Sequence, residues 1–143
     1  MDNLSRPPEA LRKPLVLLHT SDLHIGSDTY HEQALLGFNA VLDTAHKTPV
    51  DAVLIAGDLF DAFRIPWHDV DYVIRSLAKL ACPVVILPGN HDAILTAPSS
   101  SFPFRELPDN IHVLQAPDGE MVTLHSLGLS IWGKAVYNHE PAF

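Results

Sequence analysis

Three short, uninterrupted apolar runs constrain this chain more than any other feature. Leu15-Val16-Leu17-Leu18, Ala52-Val53-Leu54-Ile55-Ala56 and Val84-Val85-Ile86-Leu87 contain no polar residue. A strand with one wet face alternates apolar and polar residues, whereas an unbroken run is the pattern of a strand covered on both faces. Between the first two runs, Leu35, Phe38, Val41, Leu42 and Ala45 recur at helical spacing. They predict a helix over residues 29–47, capped by Ser27 or Asp28 and stopped at Thr48-Pro49. Between the second and third runs, Pro66 suits a first helical turn. Val70, Val73, Ile74, Leu77 and Leu80 then predict a helix over residues 66–80 with those side chains inward. Strand, helix, strand, helix, strand predicts an α/β fold with a parallel sheet and right-handed crossovers.

After Asp92 the pattern changes. Residues 97–108 hold three prolines and three serines and read as an irregular loop. Residues 111–114, 121–124 and 129–132 read as short strands, with Ala116-Pro117-Asp118-Gly119 as a turn between the first two. A length of 143 residues suits one domain with a real core. The expected organisation is a flexible lead-in over residues 1–14 and one domain over residues 15–143. Hydrophobic residues at 47% and charged residues at 18% exclude a disordered or fibrous chain. A single cysteine, Cys82, excludes a disulfide framework and a thiolate zinc cluster, and is read as a small core residue. No apolar run reaches the length of a membrane span, and the first dozen residues lack an apolar signal core, so the expected location is cytoplasmic with no membrane partner. The net charge of −8 argues against a broad basic footprint for nucleic acid on this segment. It leaves room for a metal-lined site, because bound cations reverse the local sign of an acidic pocket.

The polar cluster behind each apolar run carries the chemistry. The first run leads into His19-Thr20-Ser21-Asp22-Leu23-His24, the second into Gly57-Asp58-Leu59-Phe60-Asp61, and the third into Pro88-Gly89-Asn90-His91-Asp92. Ligands of open parallel sheets bind at the carboxyl ends of the strands, so these loops are expected to converge on one edge. Asp22 and His24 are two residues apart, which in extended geometry points both side chains the same way toward one ion. Asp58 has two oxygens with which to bridge a pair of ions, and Asn90 can coordinate through its amide oxygen without adding charge. Gly57 and Gly89 let the backbone turn sharply beside the ions. Oxygen and imidazole ligands without thiolate suit Mn²⁺, Fe²⁺ or Zn²⁺. Ion pairs in two-metal hydrolases lie about 3.5–4 Å apart, activating water and stabilising developing charge.

These residues resemble the calcineurin-like metallophosphoesterase family, whose pattern is Asp-x-His, then Gly-Asp-x-x-Asp, then Gly-Asn-His-Asp or Gly-Asn-His-Glu. Here the motifs stand in order as Asp22-Leu23-His24, Gly57-Asp58-Leu59-Phe60-Asp61 and Gly89-Asn90-His91-Asp92. The wider wording from His19 to Gly26, with the second motif, is most similar to the SbcD-type DNA-repair exonuclease branch. The resemblance implies the N-terminal portion of a four-layer α/β sandwich and a dinuclear centre, with Mn²⁺ the leading metal. It implies that Asp22 and His24 hold the first ion, that Asp58 bridges, and that Asn90 holds the second. It assigns His91 as the catalytic histidine, with Asp92 orienting it. It also implies DNA as substrate, and an ATPase subunit or a second copy as partner. Small-molecule phosphatase or nucleotide phosphodiesterase activity is the alternative within the family, which the acidity of the chain favours. A non-catalytic scaffold or inactive fragment is the alternative outside it.

The family completes its site with Gly-His and Gly-His-x-His motifs. None of the seven glycines here precedes a histidine. These absences predict an N-terminal part of a longer enzyme, incomplete at its C-terminal end. Any one of Asp22, His24, Asp58, Asn90 or His91 taken singly reads as a turn residue, and the case rests on all five in register. Asp61 and Asp92 read equally as orienting groups or helix caps, and His19 as a strand-end residue. His31, His46 and His68 are expected to face solvent, and His112 and His125 to be structural. His139 is a weak substitute ligand, Arg64 a solvated arginine, and Trp67 and Trp132 packing side chains.

Overall fold

A computed structural model describes residues 13–61, 65–92 and 106–136 of the chain. Most of the expected lead-in, Arg64, His139 and residues 97–105 of the expected irregular loop lie outside these residues. The described elements run β1 (Leu17–Thr20), α1 (His31–Lys47), β2 (Ala52–Ala56), α2 (Trp67–Ala78), β3 (Val84–Leu87), β4 (Ile111–Val113), β5 (Glu120–Leu124), a 3₁₀ turn (His125–Leu127) and β6 (Leu129–Gly133). The first four strands form one sheet in the order β1-β2-β3-β4, parallel throughout, and β5 and β6 form an antiparallel ribbon. The α/β expectation holds.

Alternation along each strand assigns the layers. Val53 and Ile55 of β2, Val84 and Ile86 of β3 and Ile111 of β4 pack with Phe38 and Leu42 of α1 and with Val70, Val73 and Leu77 of α2. Both helices therefore cover the same sheet face. The alternate residues Ala52, Leu54, Val85 and Leu87, with Leu114, meet Leu124, Leu129 and Ile131 of the ribbon. Helices, parallel sheet and ribbon make three layers among the described residues. Each fully buried Val, Leu, Ile or Phe contributes about 1.5–3 kcal/mol, so the helical face, with Phe38, Val53, Val70, Val73, Leu77 and Val84 all at 0% exposure, dominates the core.

The first run departs from expectation. The strand forms over Leu17–Thr20 with exposed and half-buried residues alternating, and Val16 and Leu17 are 46% and 40% exposed. β1 is the edge strand, and none of its residues joins the cluster under the ribbon. An apolar run identifies a strand but does not say how far the next layer extends over it. Trp67 and Trp132, read as packing residues, are 64% and 63% exposed. The Trp132 ring does lie against Gly119, where a Cβ would collide with it.

No side chain caps the N-terminus of either helix. α1 starts at His31, two residues later than predicted, and no side chain caps it. Ser27 instead accepts a hydrogen bond at Oγ from the Tyr30 N–H at 3.3 Å, which fixes the turn entering the helix. α2 begins directly after Pro66. Around its C-terminus, Asn110 Nδ2 donates to the carbonyls of Leu77, Leu80 and Cys82 at 3.1, 3.3 and 3.4 Å, tying the turn after the helix to the residue before β4. His31 and His68 are exposed as expected, yet both flank the buried Asp69: His68 Nε2 lies 3.2 Å from Oδ1, and His31 Nδ1 3.9 Å from Oδ2. No helix among the described residues is long and apolar enough to cross a membrane.

Candidate metal centre

The loops behind β1, β2 and β3 leave the same edge of the sheet because the strands are parallel and in register. The first two loops continue that register beyond the strands. The Asp22 N–H donates to Gly57 O at 3.0 Å, His24 N–H to Asp58 O at 2.9 Å and Ile25 N–H to Leu59 O at 2.9 Å, and Asp61 N–H returns to Ile25 O at 2.9 Å. Ile25 and Phe60 form a parallel bridge at the centre of this zipper. Asp22, His24 and Asp58 are the described non-glycine residues with positive φ, at 55°, 52° and 53°. Such left-handed positions cost of order 1–3 kcal/mol each and persist only where surrounding structure over-determines them. Here the backbone bonds of the zipper do so, and they aim the three side chains.

The third loop is joined by carboxylates. Asp92, 2% exposed, accepts at Oδ2 from the N–H groups of Leu59 (3.1 Å) and Gly89 (3.0 Å), and at Oδ1 from Phe60 N–H (2.7 Å). Burial pushes its carboxyl above the ordinary carboxylate range, and these three donors pull it back in part. Asp58 Oδ1 accepts from His91 N–H at 3.0 Å. Gly89 is glycine because of close approach: a Cβ there would meet Asp58 Oδ1 and lie 2.6 Å from the Asp58 nitrogen. The sharp turn expected at Gly57 is present, at φ 90°.

The side chains converge. His24 Nε2 lies 3.8 Å from Asp22 Oδ1 and 4.0 Å from Asp58 Oδ2, while His24 Nδ1 lies 3.4 Å from Asp61 Oδ1. His91 Nδ1 is 2.6 Å from the same Asp61 oxygen, and the His24 and His91 rings meet edge to face at 5.0 Å. Two groups, Asp22-His24-Asp58 and His24-Asp61-His91, each bring their ligand atoms within 4.8 Å of one another and share His24. Asn90 stands half-buried between Gly89 and His91 in the third loop. Among the described residues, Asp22, Asp58 and Asp61 form ion pairs only with histidines and with no lysine or arginine. Crowded carboxylates without a cationic partner, beside imidazoles, are a donor set that fits a divalent cation.

Asp61, which the sequence leaves open as an orienting group or a helix cap, lies inside the cluster. Asp61 is a partner of the His91 imidazole, whereas Asp92 fastens loop backbones. The signal was present in the spacing of Asp61, three residues after Asp58. His19 is an exposed strand residue that lines the other sheet face with Leu54 and Trp132.

The calcineurin-like phosphoesterase family model matches residues 15–139. The chain is 38% identical over 84 residues to the DNA double-strand break repair protein Mre11 of Aeropyrum pernix, covering 53% of this chain and 20% of that protein. It is 36% identical over 87 residues to a subunit of the nuclease SbcCD of Escherichia coli, covering 56% and 22%. The corresponding SbcCD nuclease subunit of Bacillus subtilis is 32% identical over 84 residues. The aligned stretch thus spans about a fifth of the length of the curated relatives it matches. With its parallel sheet, its three motifs at one edge and a family match over most of its length, the chain belongs to the calcineurin-like phosphoesterases.

Proposed function

We propose that this chain carries the first half of a dinuclear phosphoester hydrolase site whose substrate is DNA. One observation carries the reading: Asp22, His24 and Asp58 bring their ligand atoms together, and among the described residues these carboxylates and that of Asp61 pair with no lysine or arginine. Asp22, His24 and Asp58 would hold one ion, with Asp58 placed to bridge and Asn90 to serve the second. Bound divalent cations supply Lewis-acid charge that activates water and stabilises a phosphate in its transition state. Mn²⁺ is the proposed metal, and Fe²⁺ or Zn²⁺ would suit the same donors. His91, its Nδ1 held by Asp61, presents its other ring nitrogen to donate a proton or polarise the phosphate. Asp92 is a positioning residue that sets the height of the His91 loop.

The DNA substrate is supported by relatives named as a double-strand break repair protein and a nuclease subunit. That the nuclease relative is named as a subunit supports a partner chain, for which an ATPase subunit or a second copy is proposed. A cytoplasmic location is proposed with it. The net charge of −8 favours the second reading, a small-molecule phosphatase or nucleotide phosphodiesterase of the same family.

The test is a nuclease assay with Mn²⁺ beside a generic phosphodiester dye substrate. Cleavage of DNA supports the first reading, and cleavage of the dye alone the second. Inertness toward both, in a longer protein containing the later histidine motifs, would leave a scaffold. In such a protein Asp58→Asn removes both metal and turnover. His91→Ala leaves metal content largely intact while lowering turnover about 100-fold or more. Equal metal loss in both variants would overturn this division of roles.

A further inference from the structure

We infer that the cleft beside the metal centre is a nucleobase subsite with Tyr30 as its stacking face. The inference rests on the phosphoester reading above and goes beyond it by naming what lies next to the phosphate. The cleft is about 450 Å³, within the size range of small-ligand sites. One wall is the metal-centre face of His24, Asp61 and His91, and another is formed by Tyr30, just before α1, with Gln33 and Gly37 of α1. A phosphate held at the first wall would carry its nucleoside into the second.

Three features of the second wall fit a planar base. Tyr30 is 63% exposed, yet its backbone is tied down on both sides, by the Ser27 Oγ that receives its N–H and by the Ala34 N–H that its carbonyl accepts at 2.9 Å. A solvent-exposed aromatic ring carried on a fixed backbone offers a stacking face. Gln33 carries an amide that both donates and accepts, which can pair with the edge of any base. Gly37 sits mid-helix, where glycine is destabilising relative to alanine. The fold does not require it, since a Cβ there would meet only Leu23 Cδ2, at an ordinary 3.9 Å. Space in the cleft is the physical reason left for a missing side chain. Gln33 and Gly37 share one stripe of the helix, and with Tyr30 just before it all three line the same volume.

The test compares binding of dAMP and 2-deoxyribose 5-phosphate to the Mn²⁺-supplemented chain by titration calorimetry. The expected result is that dAMP binds about tenfold tighter, the scale of one base–aromatic stack. Tyr30→Ala should collapse that advantage and Tyr30→Phe should keep it. Gly37→Met should also collapse it by filling the cleft, with a thermal midpoint no lower than that of the parent. Equal affinities in the parent, or an advantage that survives Tyr30→Ala, overturns the subsite while leaving the phosphoester reading intact. Failure of the parent to bind either compound overturns the subsite, and the nuclease and dye assays of the longer protein then decide the phosphoester reading.

Discussion

The three loops of the centre are held in two different ways. The loops behind β1 and β2 are zipped by four backbone hydrogen bonds that extend the sheet register, and three left-handed residues are trapped between them. The loop behind β3 is tied to the second loop largely through side chains, with Asp92 reaching Leu59 and Phe60 and Asp58 reaching His91. Backbone zippering is insensitive to side-chain identity, whereas a carboxylate latch is lost with one residue. The Asp22-His24-Asp58 group therefore belongs to the robust part of the edge, and the His91 group to the part that a single substitution can release.

The largest effect should come from Asp92→Ala. Three N–H groups lose their acceptor, at about 1–3 kcal/mol for each one left unsatisfied, so urea denaturation should report a loss of about 3 kcal/mol or more. Manganese titration should still find the Asp22-His24-Asp58 group in the remaining folded protein. A loss below about 1 kcal/mol would show that the third loop has other anchors. Gly89→Ala tests the same junction from its steric side. The added methyl meets the Asp58 backbone and carboxylate, for an expected cost of about 1–3 kcal/mol and weaker manganese binding. A variant of parental stability would mean that loops two and three move apart freely.

Asp61→Asn removes the charged partner shared by Nδ1 of the proposed ligand His24 and Nδ1 of His91, from a position that is 24% exposed. Stability should change little, and manganese affinity should fall by about 10-fold or more in titration calorimetry, the usual cost of losing a group that orients a ligand. Gly37→Ala, on the helix beside the zippered loops, should raise the urea midpoint by up to about 1 kcal/mol in stability. The smallest effect belongs to the opposite end of the sheet. Burial pushes the Cys82 thiol up, and Asp51 adds to the rise, so little thiolate forms at neutral pH. Its reaction with a disulfide reagent should be slower than that of a free thiol and should recover in denaturant. Fast reaction of the native protein would contradict this.

The helices and the buried strands were legible because periodicity reports which face of an element meets the core. Ala52–Ala56 and Val84–Leu87 fall where the apolar runs put them, and Phe38, Val70, Val73 and Leu77 point inward as their spacing requires. The motif residues were legible because Asp, His and Asn placed directly behind buried strands have few structural reasons to recur in register. Burial across layers was less legible, as Val16, Leu17 and Trp132 show, because a local pattern does not encode how far a neighbouring layer reaches. What the sequence determined by itself is the α/β alternation and the polar residues at the strand ends, since both follow from local chain geometry. Tertiary structure alone decided that Asp61 faces His91, that Asp92 latches backbones, and that Gly89 is glycine to admit Asp58. Those relations join residues about 30 apart in the chain, and only the packing of β2 beside β3 brings them within bonding distance.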